Sequence, residues 1–263
     1  MTFKVGIIGV GNMGEALLAG LVHSGFNPSD ICIAVKREER GVELNKKYGV
    51  EVVSASIAAG SEVVLLGVKP KDILDLTSSI KSSLKPGSLV ISVAAGKTIS
   101  SFETILGLHA IARVMPNTPT MLGKGMAGIS YNSQVSLQQK EVVRSLFASS
   151  GKWVEVEESL QDAVTATSGS GPAYFFAFVE AMIEGGKKLG LSEEVASTLA
   201  IQTVVGAAEM LQNSGKSPST LRENVTSPNG TTFAALTNFA EGGLSDLVAN
   251  SMAAAAKRSK ELA

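Results

Sequence analysis

Along the first half of the chain, short unbroken apolar runs alternate with stretches in which apolar residues recur every three or four positions. The runs Lys4 to Ile8, Ile31 to Val35, Glu62 to Val68, Ser88 to Val93 and His109 to Val114 read as strands buried on both faces. Between them the helical period holds over Met13 to Ser24, Arg37 to Tyr48, Lys71 to Leu84 and Ile99 to Leu106, with Gly25 and Gly49 placed to end the first two. This alternation predicts a right-handed, doubly wound parallel sheet. Met126 to Tyr131 and Trp153 to Val156, on either side of a helix from Leu137 to Ser149, are expected to extend the same sheet.

Past Glu158 the strand signal fades. Pro172 to Leu189, Glu193 to Gln212, Ser219 to Val225, Thr231 to Glu241 and Leu244 to Leu262 all follow the helical period. The expected organisation is therefore an α/β domain over residues 1–158 and an all-α domain over residues 159–263. Small residues such as Gly206, Ala207, Ala208 and Ala253 to Ala256 permit close helix contact. About 100 residues of such helices bury little by themselves, so pairing with a second subunit competes here with a monomeric bundle.

Composition narrows the class. With 44% hydrophobic and 18% charged residues the chain can build a core, which separates it from disordered sequences. A formal net charge of −1 supplies no overall field for nucleic acid or an anionic membrane, and neither is expected as a partner. The single cysteine, Cys32, lies in an apolar run and reads as a buried free thiol, compatible with a reducing compartment. The start, Met1-Thr2-Phe3-Lys4, shows neither a signal-like segment nor ~20 uninterrupted apolar residues, so a cytoplasmic location is expected.

Candidate chemistry begins at Gly9-Val10-Gly11-Asn12-Met13-Gly14, a G-x-G-x-x-G pattern between a buried strand and a helix. Gly9 permits the tight turn, Gly11 lets backbone approach phosphate, and Gly14 lets helix pack on strand. The exposed N–H groups over Asn12 and Met13 favour the anion. Gly123-Lys124-Gly125-Met126-Ala127-Gly128 has the same spacing but follows a proline-bearing loop and leads into a strand, so it is a decoy.

Dinucleotide-binding strands of this kind often carry an acid at the end of the second strand to hold the ribose 2′-hydroxyl. Here the sequence is Ala34-Val35-Lys36-Arg37-Glu38. Lys36 and Arg37 suit a 2′-phosphate and favour NADP, with NADPH preferred and NADH as an alternative. The competing reading is a solvated helix start from which Glu38 reaches a ribose. Gly67-Val68-Lys69-Pro70, Ala94-Ala95-Gly96 and Met115-Pro116-Asn117-Thr118-Pro119 follow later strands and would line the crevice, each as ligand contact or as plain turn.

Val225-Thr226-Ser227-Pro228-Asn229-Gly230-Thr231-Thr232 feeds an apolar helical run. It is either an anion site at a helix N-terminus or, somewhat more in keeping with the pattern alone, a helix capped by Ser227 or Thr231. Taken together, Gly9 to Gly14, Val68-Lys69-Pro70, Ala94-Ala95-Gly96, Ser168-Gly169-Ser170-Gly171-Pro172-Ala173-Tyr174 and Val225 to Leu236 resemble pyrroline-5-carboxylate reductase over nearly the whole chain. The resemblance implies an N-terminal Rossmann domain, an all-helical C-terminal dimerisation domain, and reduction of 1-pyrroline-5-carboxylate to proline with NAD(P)H. It also implies a homodimer through the C-terminal helices, alone or within a larger oligomer, with one subunit's nucleotide domain facing its partner's helices.

Carried onto these positions, the resemblance implies that Ser227, Gly230, Thr231 and Thr232 hold the substrate carboxylate and ring nitrogen. Asn224 and Glu158 would lie beside them, and Thr232 is the candidate catalytic side chain. Gly9, Gly11, Asn12, Met13, Gly14, Lys36, Arg37, Gly67, Val68, Lys69, Pro70, Ala95 and Gly96 form the expected cofactor set. His23, near a helix end, and His109, entering a strand, read as structural. No metal is expected.

Two other functions compete. A β-hydroxyacid dehydrogenase would place a catalytic lysine about one turn into the domain-joining helix, where this chain has Phe175 and Phe176, with Lys187 too late. A non-catalytic NADP-binding module would have no need of the Val225 to Thr232 loop.

Overall fold

The structure, a computed structural model, describes residues 4–262. Its strands are β1 (Val5–Ile8), β2 (Ile31–Ala34), β3 (Glu51–Val52), β4 (Val63–Leu66), β5 (Leu89–Ser92), β6 (Ala110–Met115), β7 (Gly125–Tyr131) and β8 (Gly151–Glu155). They form one sheet in the order β3-β2-β1-β4-β5-β6-β7-β8. The intervening helices are α1 (Asn12–His23), α2 (Glu38–Tyr48), α3 (Ala55–Ala59), α4 (Ile73–Ile80), α5 (Ile99–Leu106) and α6 (Leu137–Ala148).

Successive strand residues feed opposite faces. Ile7, Ile33 and Leu65 pack with Leu17, Leu18, Leu44 and Phe147 under α1, α2 and α6. Their neighbours Ile8, Cys32 and Leu66 pack with Ile73, Ile80 and Phe102 under α4 and α5. Cover on both faces explains why every residue of β1, β2, β4 and β5 is buried, and why these strands read as unbroken apolar runs. Cys32 is a buried free thiol, as expected.

Because β1 pairs with β2 on one side and β4 on the other, the order of winding reverses between β1 and β4. Open α/β sheets bind ligands beyond the carboxyl ends of strands at such a reversal.

Two features depart from the sequence reading. The parallel sheet breaks at β7, which runs antiparallel to β6, because residues 116–124 are too few for a crossover and turn straight back. The edge strand β3 and helix α3 were not anticipated: β3 has only two residues, both exposed, and so leaves no apolar pattern.

After β8 come α7 (Gln161–Val164), a π-helical turn (Thr165–Gly169), and then α8 (Gly171–Lys188), α9 (Glu193–Asn213), α10 (Pro218–Asn224), α11 (Thr231–Glu241) and α12 (Leu244–Glu261). The chain divides into two compact units. The first runs to Pro172 and resumes at Ala254; the second is Ala173–Ala253.

The second unit has almost no core of its own. Phe178 and Phe239 approach at 6.3 Å between ring centres, yet α10 and α11 contain no buried residue and α9 buries only Ala196 and Ala200. Phe175 and Phe176 are each 64% exposed, and Leu199, Val205, Phe233 and Leu247 are exposed as well. Large apolar side chains left in water in such number mark these helices as an association surface. No helix among the described residues is long and apolar enough to cross a membrane.

Candidate functional site

At the winding reversal, the chain leaves β1 through Gly9, whose φ of +90° favours glycine. The Gly9 N–H donates to the Ala34 carbonyl at 2.9 Å, and the Gly67 N–H to the Ile8 carbonyl at 2.8 Å, so the ends of β1, β2 and β4 are tied together. A side chain on Gly9 would strike Val68, and a Cβ on Gly14 would sit 2.6 Å from the Gly9 carbonyl oxygen. The fold itself demands both glycines.

Gly11 is different. It is the N-cap of α1 at an ordinary φ of −80°, and a Cβ placed there would meet nothing within 4 Å. Helices α3, α5, α6, α9 and α10 start on Ser54, Thr98, Ser136, Ser192 and Ser217, each of which caps its helix through its side chain. No side chain caps α1, so its first turn, with Asn12 exposed and Met13 half-buried, faces open space. Such a cradle fits a pyrophosphate, held by unpaired N–H groups and the positive end of the helix. The decoy behaves as expected: Gly123 ends a short 3₁₀ turn at φ +67°, and Gly125 opens β7.

Beyond β2, Lys36 and Arg37 are exposed and Arg37 is the N-cap of α2. Glu15, on α1, accepts hydrogen bonds from Arg40, from Lys47 Nζ at 2.8 Å and from the Tyr48 hydroxyl at 2.9 Å. Burial raises the Glu15 carboxyl, but the bonds from Lys47, Arg40 and Tyr48 outweigh it and hold it at about 2. The carboxylate is thus ionised at neutral pH and fastens α2 to α1. Arg40 and Lys47 are committed to Glu15, which leaves Lys36 and Arg37 without an ion-pair partner among the described residues.

Changing Lys36 and Arg37 together to alanine is expected to raise the NADPH Kd by roughly tenfold or more while NADH changes little, since each removes a charge-assisted contact to the 2′-phosphate. Fluorescence titration of both nucleotides checks this, and equal losses would remove the phosphate role.

The later loops divide. Gly67 is held by close approach to Gly9, since its Cβ would lie 2.5 Å from the Gly9 oxygen; Val68 and Pro70 are half-buried and Lys69 exposed. Asn117 is committed to structure: its side chain donates to the Ser168 carbonyl at 3.0 Å and accepts from the Met126 N–H at 2.9 Å. Ala95 is half-buried. Gly96 is buried at φ +78°, and its Cβ would lie 2.7 Å from Leu262 Cβ. The need for glycine at 96 therefore comes from the end of α12.

In the second unit, α10 ends at Asn224 and the loop to α11 passes through Asn229, which has φ +57°, the only positive value at a non-glycine among the described residues. Asparagine tolerates that region better than most residues. Gly230 is the N-cap of α11, and its N–H donates to the Ser227 carbonyl at 3.0 Å. The capping of this helix by Ser227 or Thr231 does not occur: no side chain caps α11, and a Cβ on Gly230 would collide with Ser227 Oγ. The first-turn N–H groups stay open, with Thr231 exposed and Thr232 half-buried. Of the helices whose N-caps are defined, α1 and α11 are the two that begin on an uncapped glycine.

Glu158 lies in the first unit. Its Oε1 accepts from the Ile99 N–H at 2.7 Å, at the start of α5, and from Arg113 Nη1 at 3.1 Å. Arg113 is a buried cation on β6, and its Nη2 lies 3.9 Å from Asp162 Oδ1. Asp162 in turn accepts from Ser259 Oγ at 2.7 Å. Arg113, Asp162 and Ser259 were missed from the sequence, where an arginine in an apolar strand run was the only signal. The His109 ring nitrogen Nδ1 is bonded to the Leu106 carbonyl at 2.8 Å, and His23 closes α1 in solvent.

Two parts of the chain match models of known protein families. Residues 158–262 match the model of the family described as pyrroline-5-carboxylate reductase dimerisation, and residues 4–96 that of NADP oxidoreductase, coenzyme F420-dependent. A pyrroline-5-carboxylate reductase of Corynebacterium melassecola is 43% identical over 98% of this chain and 98% of its own length. Among solved structures, a pyrroline-5-carboxylate reductase from Coxiella burnetii superposes with a TM-score of 0.93 at 36% identity, covering 100% of this chain and 99% of the other. A pyrroline carboxylate reductase of Plasmodium falciparum with NADP bound gives 0.88 at 30% identity, covering 99% and 98%.

Proposed function

The chain belongs to the pyrroline-5-carboxylate reductase family, and on that premise we propose which of its residues carry the reaction. It is an NADP-dependent oxidoreductase of proline biosynthesis that reduces 1-pyrroline-5-carboxylate to L-proline. The cofactor, when bound, supplies the hydride that reduces the imine carbon.

We assign the pyrophosphate to the Gly9, Gly11, Asn12, Met13 and Gly14 turn and the 2′-phosphate to Lys36 and Arg37. Gly67, Val68, Lys69, Pro70, Ala95 and Gly96 complete the cofactor wall. NADPH is the preferred donor and NADH the alternative. Functionally the chain divides at Glu158, with residues 1–158 serving the cofactor and 159–263 the substrate and subunit pairing. The compact units differ from that division in keeping the segment to Pro172, and the chain from Ala254, with the first.

The observation that supports the substrate assignment is the uncapped N-terminus of α11 behind Gly230. Open amides of Thr231 and Thr232 suit a carboxylate, which is otherwise costly to hold in one orientation. The Thr232 hydroxyl contacts the ring nitrogen. A cyclic imine accepts hydride readily only when that nitrogen carries a proton, so a hydrogen-bonding hydroxyl there orients the ring as the charge is lost. Ser227 lines the same turn, and Asn224 and Glu158 flank the substrate; the Oε1 of Glu158 is engaged by Arg113 and Ile99, which leaves Oε2 for that purpose.

Pairing of two copies through the C-terminal helices, alone or within a larger oligomer, covers Phe175, Phe176 and their exposed neighbours. The match of residues 158–262 to a dimerisation model supports this reading. An NADPH-oxidation assay comparing pyrroline-5-carboxylate with a panel of keto acids tests the function. Turnover of pyrroline-5-carboxylate alone is expected; preference for a keto acid would sink the substrate assignment, and tight NADPH binding without any turnover would favour a binding module.

A further inference from the structure

The last turns of α12 belong to the first compact unit, the one that holds the fingerprint turn. They rest on the β5–α5 turn. Gly96 is buried there at φ +78°, and a Cβ on it would lie 2.7 Å from Leu262 Cβ and 2.9 Å from the Ser259 carbonyl oxygen. Backbone thus lies on backbone, with no room for adjustment at Gly96.

The contact is locked by a polar chain that starts on the same helix end. Ser259 is 3% exposed, and its hydroxyl donates to Asp162 Oδ1 at 2.7 Å. Asp162 faces the buried Arg113, whose other terminal nitrogen binds Glu158 at 3.1 Å. Glu158 closes the circuit by accepting the N–H of Ile99 at 2.7 Å, only three residues past Gly96. The segment 96–99 is therefore gripped at both ends, at Gly96 by α12 and at Ile99 by Glu158, and both grips converge on Arg113. A buried serine in a terminal helix turn has no local structural duty, since Ser and Thr stabilise helices mainly at their N-termini.

We propose that Ser259 is a positioning residue for the cofactor: through Asp162 it seats the end of α12 on Gly96 and so sets the Ala95–Gly96 turn against the nicotinamide half of NADPH. The inference rests on the assignment of Ala95 and Gly96 to the cofactor wall. It adds that the geometry of that wall is imposed by residues about 160 positions further along the chain, a separation that follows from the numbering of Gly96 and Ser259.

The test measures two ligands on the full chain: NADPH, and 2′-phospho-ADP-ribose, which keeps the pyrophosphate and 2′-phosphate but lacks the nicotinamide. Ser259→Ala and Asp162→Ala are each expected to raise the NADPH Kd by roughly three- to tenfold, the factor for one lost hydrogen bond, with the fragment's Kd unchanged. Asp162→Asn, which keeps an oxygen to accept from Ser259, is expected to stay near the parent, and so is Lys260→Ala, on an exposed neighbour in the same helix.

Equal weakening of both ligands would mean a loosened unit and would overturn the proposal, as would unchanged NADPH affinity in Ser259→Ala and Asp162→Ala. Failure of the parent protein to bind either ligand would overturn the cofactor assignment itself, and this inference with it. Should Asp162→Ala fail to fold, Ser259→Ala decides alone, because it removes one atom and leaves the charges of Arg113, Glu158 and Asp162 in place.

Discussion

Valine at position 11 abolishes measurable NADPH binding and leaves the protein folded: this is the largest effect expected of any single change in the first unit. The backbone at Gly11 has φ −80°, which valine adopts freely, and a Cβ there touches nothing within 4 Å. The folded state loses only the modest N-cap advantage of glycine, about 1 kcal/mol, against a helix that buries Leu17, Leu18 and Leu21. The ligand loses much more. The isopropyl group occupies the space in front of the α1 amides, and losing two charge-assisted hydrogen bonds costs roughly a hundredfold or more in affinity. Gly11→Val should therefore show parental far-UV circular dichroism and a thermal midpoint within a few degrees, with no NADPH fluorescence change on titration. Retained NADPH affinity would refute the pyrophosphate site. Valine at Gly9 or Gly14 is no substitute, since those positions clash with Val68 and with the Gly9 carbonyl and would damage the fold.

Thr232→Ala should be the most damaging change in the second unit. The side chain is half-buried one residue inside an uncapped helix, and alanine is the best helix former, so structure and NADPH affinity are retained. What is lost is the hydroxyl at the ring nitrogen. The protonated ring nitrogen donates to that hydroxyl, and misplacing the reacting ring when such a contact is lost costs about a hundredfold, so a loss of that order in kcat is expected with the NADPH Kd unchanged. Normal steady-state kinetics would count against the loop as the substrate site. The two variants also test the sharing of sites between subunits. If each site takes its cofactor from one subunit and its substrate loop from the other, mixing inactive Gly11→Val with inactive Thr232→Ala restores some activity through hybrid dimers. If both parts come from one subunit, the mixture stays inactive.

Much of the fold was legible because its signals are local. Strands covered on both faces read as unbroken apolar runs, so β1, β2, β4 and β5 were found within a residue or two at each end. α5 and α11 fell on the expected residues because a glycine follows or precedes each. β3 was invisible, since two exposed residues carry no period. The direction of β7 was also invisible, because a strand's own residues do not say which way its neighbour runs.

The candidate site was legible in a different way. The glycine spacing and the motif order located the two helix starts and the basic pair. They said less about which protein contacts hold each residue. Gly9 and Gly14, read as turn and packing residues, are demanded by protein atoms, and Gly11 is not. Gly96 looked like a residue for the ligand, and the structure shows α12 pressing on it. Glu158 looked like a substrate residue, and one of its oxygens already serves Ile99 and Arg113.

By itself, then, the sequence determined most of the strands and helices and the nucleotide turn, which are carried by periodicity and spacing along the chain, while the family came from the resemblance of its motifs. Only the tertiary structure decided that α12 presses on Gly96, that the helices behind Gly11 and Gly230 start uncapped, and that the end of α12 returns to the nucleotide unit. The reason is physical. Ser259 and Asp162 are 97 positions apart and Ile99 and Glu158 are 59, and a hydrogen bond across such a distance imposes no pattern on the residues between.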